Sequence, residues 1–442
     1  MVPLAAATLL STAAPVAARM FDPTTFTLSN GLQVVVITNM RAPVVEQMVW
    51  YHAGAADEPA GKSGIAHYLE HLMFKGTKTV KPTEFSHIVA MQGGEDNAFT
   101  AHDYTAYHET VAVDRLELMM KLEADRMVNL SLTDAIAKPE LQVVREERRM
   151  RIDNNPAVQL NELASASLFI NHPYRLPPIG WDAEIQRLNY HDALDFYHTW
   201  YAPNNATLVI EGAVTLEQVK PLAIKYFGPI ASRPVPKRER LVEPPHLAPT
   251  RVEMTSARIH EPSWGRDYLA PSYRTSDKPE QGYAIEVLSE VLGGSVVSRL
   301  DKALVLGDSK LATSVSAGYD ADAYDLGTFA LAATPRPGVS LDQIEKAVDE
   351  EINRLLKDGV TEEEVAKARE HLQESAIYSR DTLGSAAHIL GAALSIGRTI
   401  DDVESWPDRI SKVTAAEVNE AAHVVLKDVN SVTTSLKPGP QS

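Results

Sequence analysis

The chain is 442 residues long, 44% hydrophobic and free of cysteine, with a formal net charge of −17. That length accommodates two to three domains with full cores, and the missing cysteines exclude disulfides, thiol catalysis and cysteine-ligated metal sites. The acidic balance, with no basic run, argues against nucleic acid as a partner and is compatible with basic or neutral peptides.

Residues 1–18 are apolar and end in the small residues Val16-Ala17-Ala18. They read as the hydrophobic core and cleavage end of a secretory signal, although a basic start is missing. No other stretch is long and apolar enough to span a membrane. The expected location is periplasmic or secreted, with the cytoplasm as runner-up.

The most informative stretch is Gly64-Ile65-Ala66-His67-Tyr68-Leu69-Glu70-His71-Leu72-Met73-Phe74-Lys75-Gly76-Thr77. It reads as a helix on which His67 and His71, four apart, share one face and suit the grip of one zinc ion. Glu70 projects beside such an ion, where a carboxylate can take a proton from an activated water. The order H-x-x-E-H is a metallopeptidase signature, the inverse of H-E-x-x-H. The competing account is an ordinary helix with two half-buried histidines.

A hydrolytic zinc site wants a third protein ligand and an open position. The helical run Pro139 to Met150 offers carboxylates, and Glu140 and Glu147, seven apart, share a face that Glu146 does not. One of the pair is positioned to ligate and the other to orient a histidine from behind. His191 and His198 sit on a run rich in Tyr, Phe and Trp and read as part of an aromatic core face. His102 and His108 read as cleft-wall or core histidines.

The stretch from Pro229 to Pro249, with Pro234, Pro236, Pro244 and Pro245 among charged residues, has a linker's composition. It divides the chain into a zinc-binding catalytic domain (19–228) and a second domain (250–442). Each half begins with strands, continues with helices and returns to a strand. The expected class is α+β, two similar domains in tandem, each a mostly antiparallel sheet packed with helices. Thr361 and Glu364 form a capping box that starts a late helix.

These motifs resemble the inverted-zincin peptidases of the pitrilysin, insulin-degrading enzyme and mitochondrial processing peptidase family. In that family a liganding glutamate follows the second histidine by 76 residues, which is Glu147, with an acidic residue seven before it, Glu140. The resemblance implies that His67, His71 and Glu147 bind one Zn2+ per chain, that Glu70 is the base, and that Glu140 supports the site from behind. It extends through Phe26 to Val36, an opening strand pair, and Trp200 to Ile210, a closing strand. It also makes Asn97, Ala98, Phe99 and Thr100 the strand edge to which a peptide substrate adds. Laying Gly282 to Ser289 on Gly64 to His71 puts Ile285 and Ser289 at the histidine positions, so the second domain is expected to hold no metal.

The resemblance also exposes a gap. Active relatives carry an arginine and a tyrosine seven apart in a context like S-R-L-F-x-x-L-R-E-x-x-G-L-A-Y. Here Ser298 to Thr313 holds Val305 at the arginine position and Ala312 or Thr313 at the tyrosine position, while Arg299 matches an earlier, structural arginine. The implied function is a zinc endopeptidase subunit completed by a paralogous subunit in a heterodimer. The alternative is a non-catalytic, assembly-type member acting as a structural or peptide-binding subunit.

Overall fold

The structure, a computed structural model, describes residues 19–308, 310–379 and 382–440. The signal-like segment 1–18 lies outside the described residues. The first half builds a six-stranded sheet from β1 (Thr24–Thr27), β2 (Gln33–Thr38), β3 (Val44–Tyr51), β4 (Glu95–Thr100), β5 (Thr105–Ala112) and β6 (Ala206–Gly212). The second builds a five-stranded sheet from β7 (Thr250–Ser256), β8 (Ser263–Ala270), β9 (Ala312–Asp320), β10 (Gly327–Pro335) and β11 (Ser431–Pro438).

The strand orders are β1-β2-β6-β3-β5-β4 and β7-β11-β8-β10-β9. In each sheet the last strand of the half inserts between earlier ones, parallel to one neighbour and antiparallel to the other. Removing β1 makes the two orders superimpose strand for strand, so the α+β tandem expected from the sequence is also a topological repeat. The remaining pairings are antiparallel.

The helices of the first half are α1 (Ile65–Leu72), α2 (Glu84–Met91), α3 (Leu116–Asn129), α4 (Asp134–Arg148), α5 (Pro156–Leu168), α6 (Asp182–Ile185), α7 (Tyr190–Trp200) and α8 (Leu216–Tyr226). Those of the second are α9 (Gln281–Ser289), α10 (Leu341–Asp358), α11 (Glu362–Ser379), α12 (Ser385–Ser395), α13 (Ile400–Glu404), α14 (Trp406–Lys412) and α15 (Ala415–Val425). No helix among the described residues is long and apolar enough to cross a membrane. At the head of α11 the Thr361 N–H donates to Glu364 Oε2 at 2.8 Å and the Glu364 N–H to Thr361 Oγ1 at 3.2 Å, the reciprocal cap that the sequence indicates.

Two helices are exchanged between the halves. Along β3, Val45, Val49 and Tyr51 face the helices of the first half, whereas Met48 and Trp50 face the other way. That second face is covered by α12 of the second half, through Ala386, Ala387, Leu390, Ala393 and Leu394. Reciprocally, α5 lays Ala164 and Leu168 beside Val432 of β11. Each half thus supplies a helix to the other's sheet.

The segment 231–247 has no regular secondary structure and runs between the halves. It is pinned rather than loose: Arg240 is buried and reaches Asp103 at 2.6 Å and Asp57 at 3.0 Å. Glu243 accepts the N–H groups of Ile170, Asn171 and His172. Prolines restrict the strap, and these bonds hold it in place.

Beneath the first sheet lies a buried ion cluster. Arg126 pairs with Glu123 and, at 3.3 Å, with Glu109, while Gln47 donates to the other Glu109 oxygen at 2.9 Å. The guanidinium also lies over the rings of Phe85 and Tyr107, 4.2 and 4.5 Å from their centroids. Burial and the neighbouring Glu123 push the Glu109 carboxyl well above its ordinary range, and Arg126 opposes them. Arg126→Met leaves two carboxylates buried side by side and should cost about 3–5 kcal/mol of stability at neutral pH. Because a protonated carboxyl tolerates burial, that deficit should shrink as pH falls; urea midpoints at several pH values measure both.

Candidate active site

Helix α1 begins at Gly64, whose φ of +87° places it in the left-handed region, and a Cβ there would lie 2.3 Å from the Ile179 carbonyl oxygen. The free N–H groups of the first turn are met by Glu58, which accepts from Gly64 at 2.9 Å and Ala66 at 2.9 Å. Ile65, Ala66, Leu69 and Leu72 enter the core. The opposite face, at spacing i, i+3, i+4, presents His67, Glu70 and His71.

Helix α4 packs across it, burying Ala137, Leu141 and Val144 and turning Glu140 and Glu147 toward the histidines. The geometry separates the two carboxylates, which periodicity alone does not. Glu147 Oε2 lies 3.1 Å from His71 Nε2 and 3.6 Å from His67 Nε2. Glu140 Oε1 is 2.9 Å from His71 Nδ1 on the far side of that ring, and its other oxygen accepts from Lys75 Nζ at 2.7 Å.

Two imidazole nitrogens and one carboxylate oxygen therefore converge within 4.8 Å of one another. Zinc–ligand bonds of ~2.0–2.1 Å in a tetrahedron set ligand edges of about 3.4 Å. The contacts of 3.1 and 3.6 Å bracket that value, so the donor set fits a tetrahedral ion with one open position. Glu140 on the back nitrogen of His71 is the kind of partner that fixes a liganding ring.

The charges follow from these contacts. Burial, reinforced by His71, holds His67 down at about 4, leaving it neutral with a lone pair to give. Burial also works against charge on His71, but the carboxylates of Glu140 and Glu147 prevail and hold it up at about 9. Glu147 is held below its ordinary range chiefly by its bond to His71, despite partial burial. Burial penalises Glu140 too, but bonds from His71 and Lys75 bring it below its ordinary range. A proton on His71 thus occupies the place a cation would take, and the two compete.

Glu70 is buried, and Thr100 Oγ1 donates to its Oε2 at 2.5 Å. Burial raises the Glu70 carboxyl, while the Thr100 bond tempers the rise. Thr100 closes β4, which is the outermost strand of its sheet. One side of β4 pairs with β5, and the other carries unpaired backbone groups along a cleft of about 710 Å³. His67, Glu70, His71, Asn97, Ala98, Phe99, Thr100, Glu140 and Glu147 all line that cleft.

Sequence reasoning missed several contributors. Lys75 stands four residues after His71 and Arg151 four after Glu147, each one helical turn on. Arg151 lies 3.0 Å from Glu147 Oε1, so both carboxylates of α4 carry a cationic partner. Glu58 and the role of Thr100 toward Glu70 depend on tertiary folding and leave no local pattern. One expectation needs correction: Phe196, Tyr197 and Trp200 are buried on α7, but His191 and His198 occupy its exposed face.

At the second-half positions, Val305 packs against the core of that half, Ala312 lies inside it, and Thr313 donates to the Thr334 carbonyl at 3.2 Å. Tyr319 donates to the Pro271 carbonyl, and Arg299 clasps Glu364 at 2.7 and 2.8 Å. None of these residues lines the cleft.

Comparison with known proteins identifies relatives along nearly the whole chain. Residues 33–179 match the family model "Insulinase (Peptidase family M16)", and residues 187–372 match "Peptidase M16 inactive domain". The zinc protease PqqE of Helicobacter pylori is 30% identical over 415 residues, covering 93% of this chain and 92% of that protein. A probable mitochondrial-processing peptidase subunit beta of Arabidopsis thaliana is 25% identical, over 93% and 78% of the two chains. The crystal structure of a protease from Helicobacter pylori superposes with a TM-score of 0.84 at 29% identity, covering 94% of this chain and 99% of that one. With two matching family models and a relative of this identity along nearly its whole length, the chain belongs to the M16 family of peptidases.

Proposed function

We propose that this chain is a zinc endopeptidase subunit that cleaves peptides or unfolded segments, with His67, His71 and Glu147 holding the ion and Glu70 serving as base. The observation that carries this reading is the convergence of the three donor atoms beside a buried Glu70 at an open strand edge. Relatives named as zinc proteases support it. A zinc ion there would supply Lewis acidity, acidifying water and polarising a carbonyl.

The protein's own residues do the rest. An extended peptide adds to β4 along Asn97, Ala98, Phe99 and Thr100, its backbone satisfied without reading its sequence. Glu70 takes the proton of the attacking water and returns it to the leaving amine. Thr100 positions the Glu70 carboxylate, since its hydroxyl is already committed there. Glu140, steadied by Lys75, holds His71 in the tautomer that leaves Nε2 free.

Donors for the developing oxyanion are the missing element. Val305, Ala312 and Thr313 supply none, and this supports completion by a paralogous subunit facing the cleft, as in a heterodimer. A relative named as a subunit points the same way. The apolar segment 1–18 supports export of the chain.

Hydrolysis of a mixed quenched-peptide pool tests the proposal, with the zinc-loaded chain alone, with a co-purified paralogue, and with Glu70→Gln as blank. We expect marked activity only with the partner, falling about 10²–10⁴-fold in the blank. Full activity of the chain alone would overturn the heterodimer, and a zinc-loaded pair with no activity above the blank would overturn the peptidase reading in favour of an assembly role.

Glu140→Gln should weaken metal binding or activity about 10–100-fold while leaving a folded protein, read by zinc titration and circular dichroism. Thr100→Val removes a bond that favours the ionised Glu70. Its carboxyl should therefore rise further, and the acid limb of kcat/KM should move to higher pH. An unmoved limb would mean that Glu70 does not set it.

A further inference from the structure

On the reverse face of the first sheet three more donor atoms converge. Glu46 of β3 and His108 of β5 project from that face, and His388 descends onto it from α12 of the second half. Glu46 Oε1 lies 3.1 Å from His108 Nδ1 and 3.8 Å from His388 Nε2, and all three donors lie within 4.8 Å of one another. Sequence reading treats His108 as a wall or core histidine and expects one metal ion per chain. We propose that Glu46, His108 and His388 form a second divalent-cation site, suited to zinc or a similar imidazole-binding ion, that clamps α12 onto the first sheet.

Three observations carry this beyond a histidine–carboxylate ion pair. First, His108 Nδ1 is buried and makes no hydrogen bond even though the Glu46 oxygen is 3.1 Å away. An imidazole nitrogen and a carboxylate oxygen that close, without hydrogen-bond geometry between them, are arranged as two ligands of one ion are.

Second, the carboxylate is aimed. Gly384, at φ +84°, approaches so closely that a Cβ there would lie 2.1 Å from Glu46 Oε2. That oxygen rests against the turn preceding α12, and Oε1 is left toward the two rings. Neighbouring Glu211, opposite Glu46 in the β3–β6 register, is also buried and accepts the Ala387 N–H at 2.9 Å. Two buried carboxylates therefore share this corner, and a cation is the natural counterweight.

Third, the rings are held. Phe99 stacks on His388, with centroids 5.4 Å apart and planes at 16°, and Trp50 meets the same ring edge-on at 6.1 Å. Imidazole and carboxylate ligands with an aromatic surround suit a borderline ion, and three protein ligands leave a coordination position for water. The site joins residues from both halves, so occupancy acts on their docking. Phe99 immediately precedes Thr100, so the clamp also braces the strand that holds Glu70 in place.

The proposal stands apart from the peptidase reading, and metal stoichiometry separates them. Chelator-stripped full-length protein is reloaded with zinc, dialysed and assayed by elemental analysis, and Co2+ is substituted for its absorption spectrum. We expect two ions per chain in the wild type, one in His388→Ala, one in the His67→Ala/Glu147→Gln double variant, and none in the triple variant. His388 is half exposed, so its loss should leave the fold intact. The remaining ion of the double variant should raise its Tm, and His388→Ala should abolish that rise. One ion in the wild type and none in the double variant would overturn the second site, as would an unchanged count in His388→Ala. One ion in both the wild type and the double variant, lost in the triple variant, would uphold the second site and sink the catalytic one.

Discussion

The first sheet is buried on both faces, and the helices that bury it come from opposite halves of the chain. α1 and α3 press on one face, while α12 crosses from the second half to cover Trp50, Met48 and Ala106 on the other. A fully buried apolar side chain contributes roughly 1.5–3 kcal/mol, so the exchange of α12 and α5 binds the halves more firmly than a few surface ion pairs would. A sheet so clamped can leave an edge strand bare without losing its order. β4 is such a strand, and its open edge is where the cleft lies.

Charge is handled consistently throughout the molecule. Net charge is strongly negative, yet each carboxylate that matters near the cleft has a local counterweight. Glu140 meets Lys75 and His71, and Glu147 meets Arg151 and the histidines. Glu70 is the exception: its bond comes from a hydroxyl rather than a cation. Direct pairing with arginine or lysine would have depressed its carboxyl. Burial, with a hydroxyl as the direct partner, does the opposite and outweighs the more distant His71 and Arg151.

How much of this is legible in the chain follows from the range of each signal. His67, Glu70, His71, Glu140 and Glu147 obey helical periodicity within two runs, so one face of each helix is readable locally. The family spacing of 76 residues then brings the helices together. The repeat of strand orders is readable only as two halves of like composition. Helix exchange is not readable at all, because the apolar stripe of α12 says that it must be covered and not by which sheet. His108 and His388 belong to the same blind spot, since they meet through the sheet and through α12 and share no local pattern.

The second half shows what the shared fold becomes without the chemistry. α9 occupies the place corresponding to α1, and Ile285, Leu288 and Ser289 stand where the first half has His67, Glu70 and His71. Ile285 and Leu288 are wholly buried in the core of that half, and Ser289 turns its hydroxyl back to the Glu286 carbonyl at 2.8 Å. Without the two histidines and the glutamate, this face of the helix is mostly apolar and packed into the core. Nearby, Arg299 spends its guanidinium on Glu364, whose carboxyl it and Thr361 hold down at about 2 against the effect of burial. Arg299 is thus committed to holding the fold. What the second half gives the first is the α12 cover on its sheet, together with Tyr324 and Asp325, which meet Asp103 and His172.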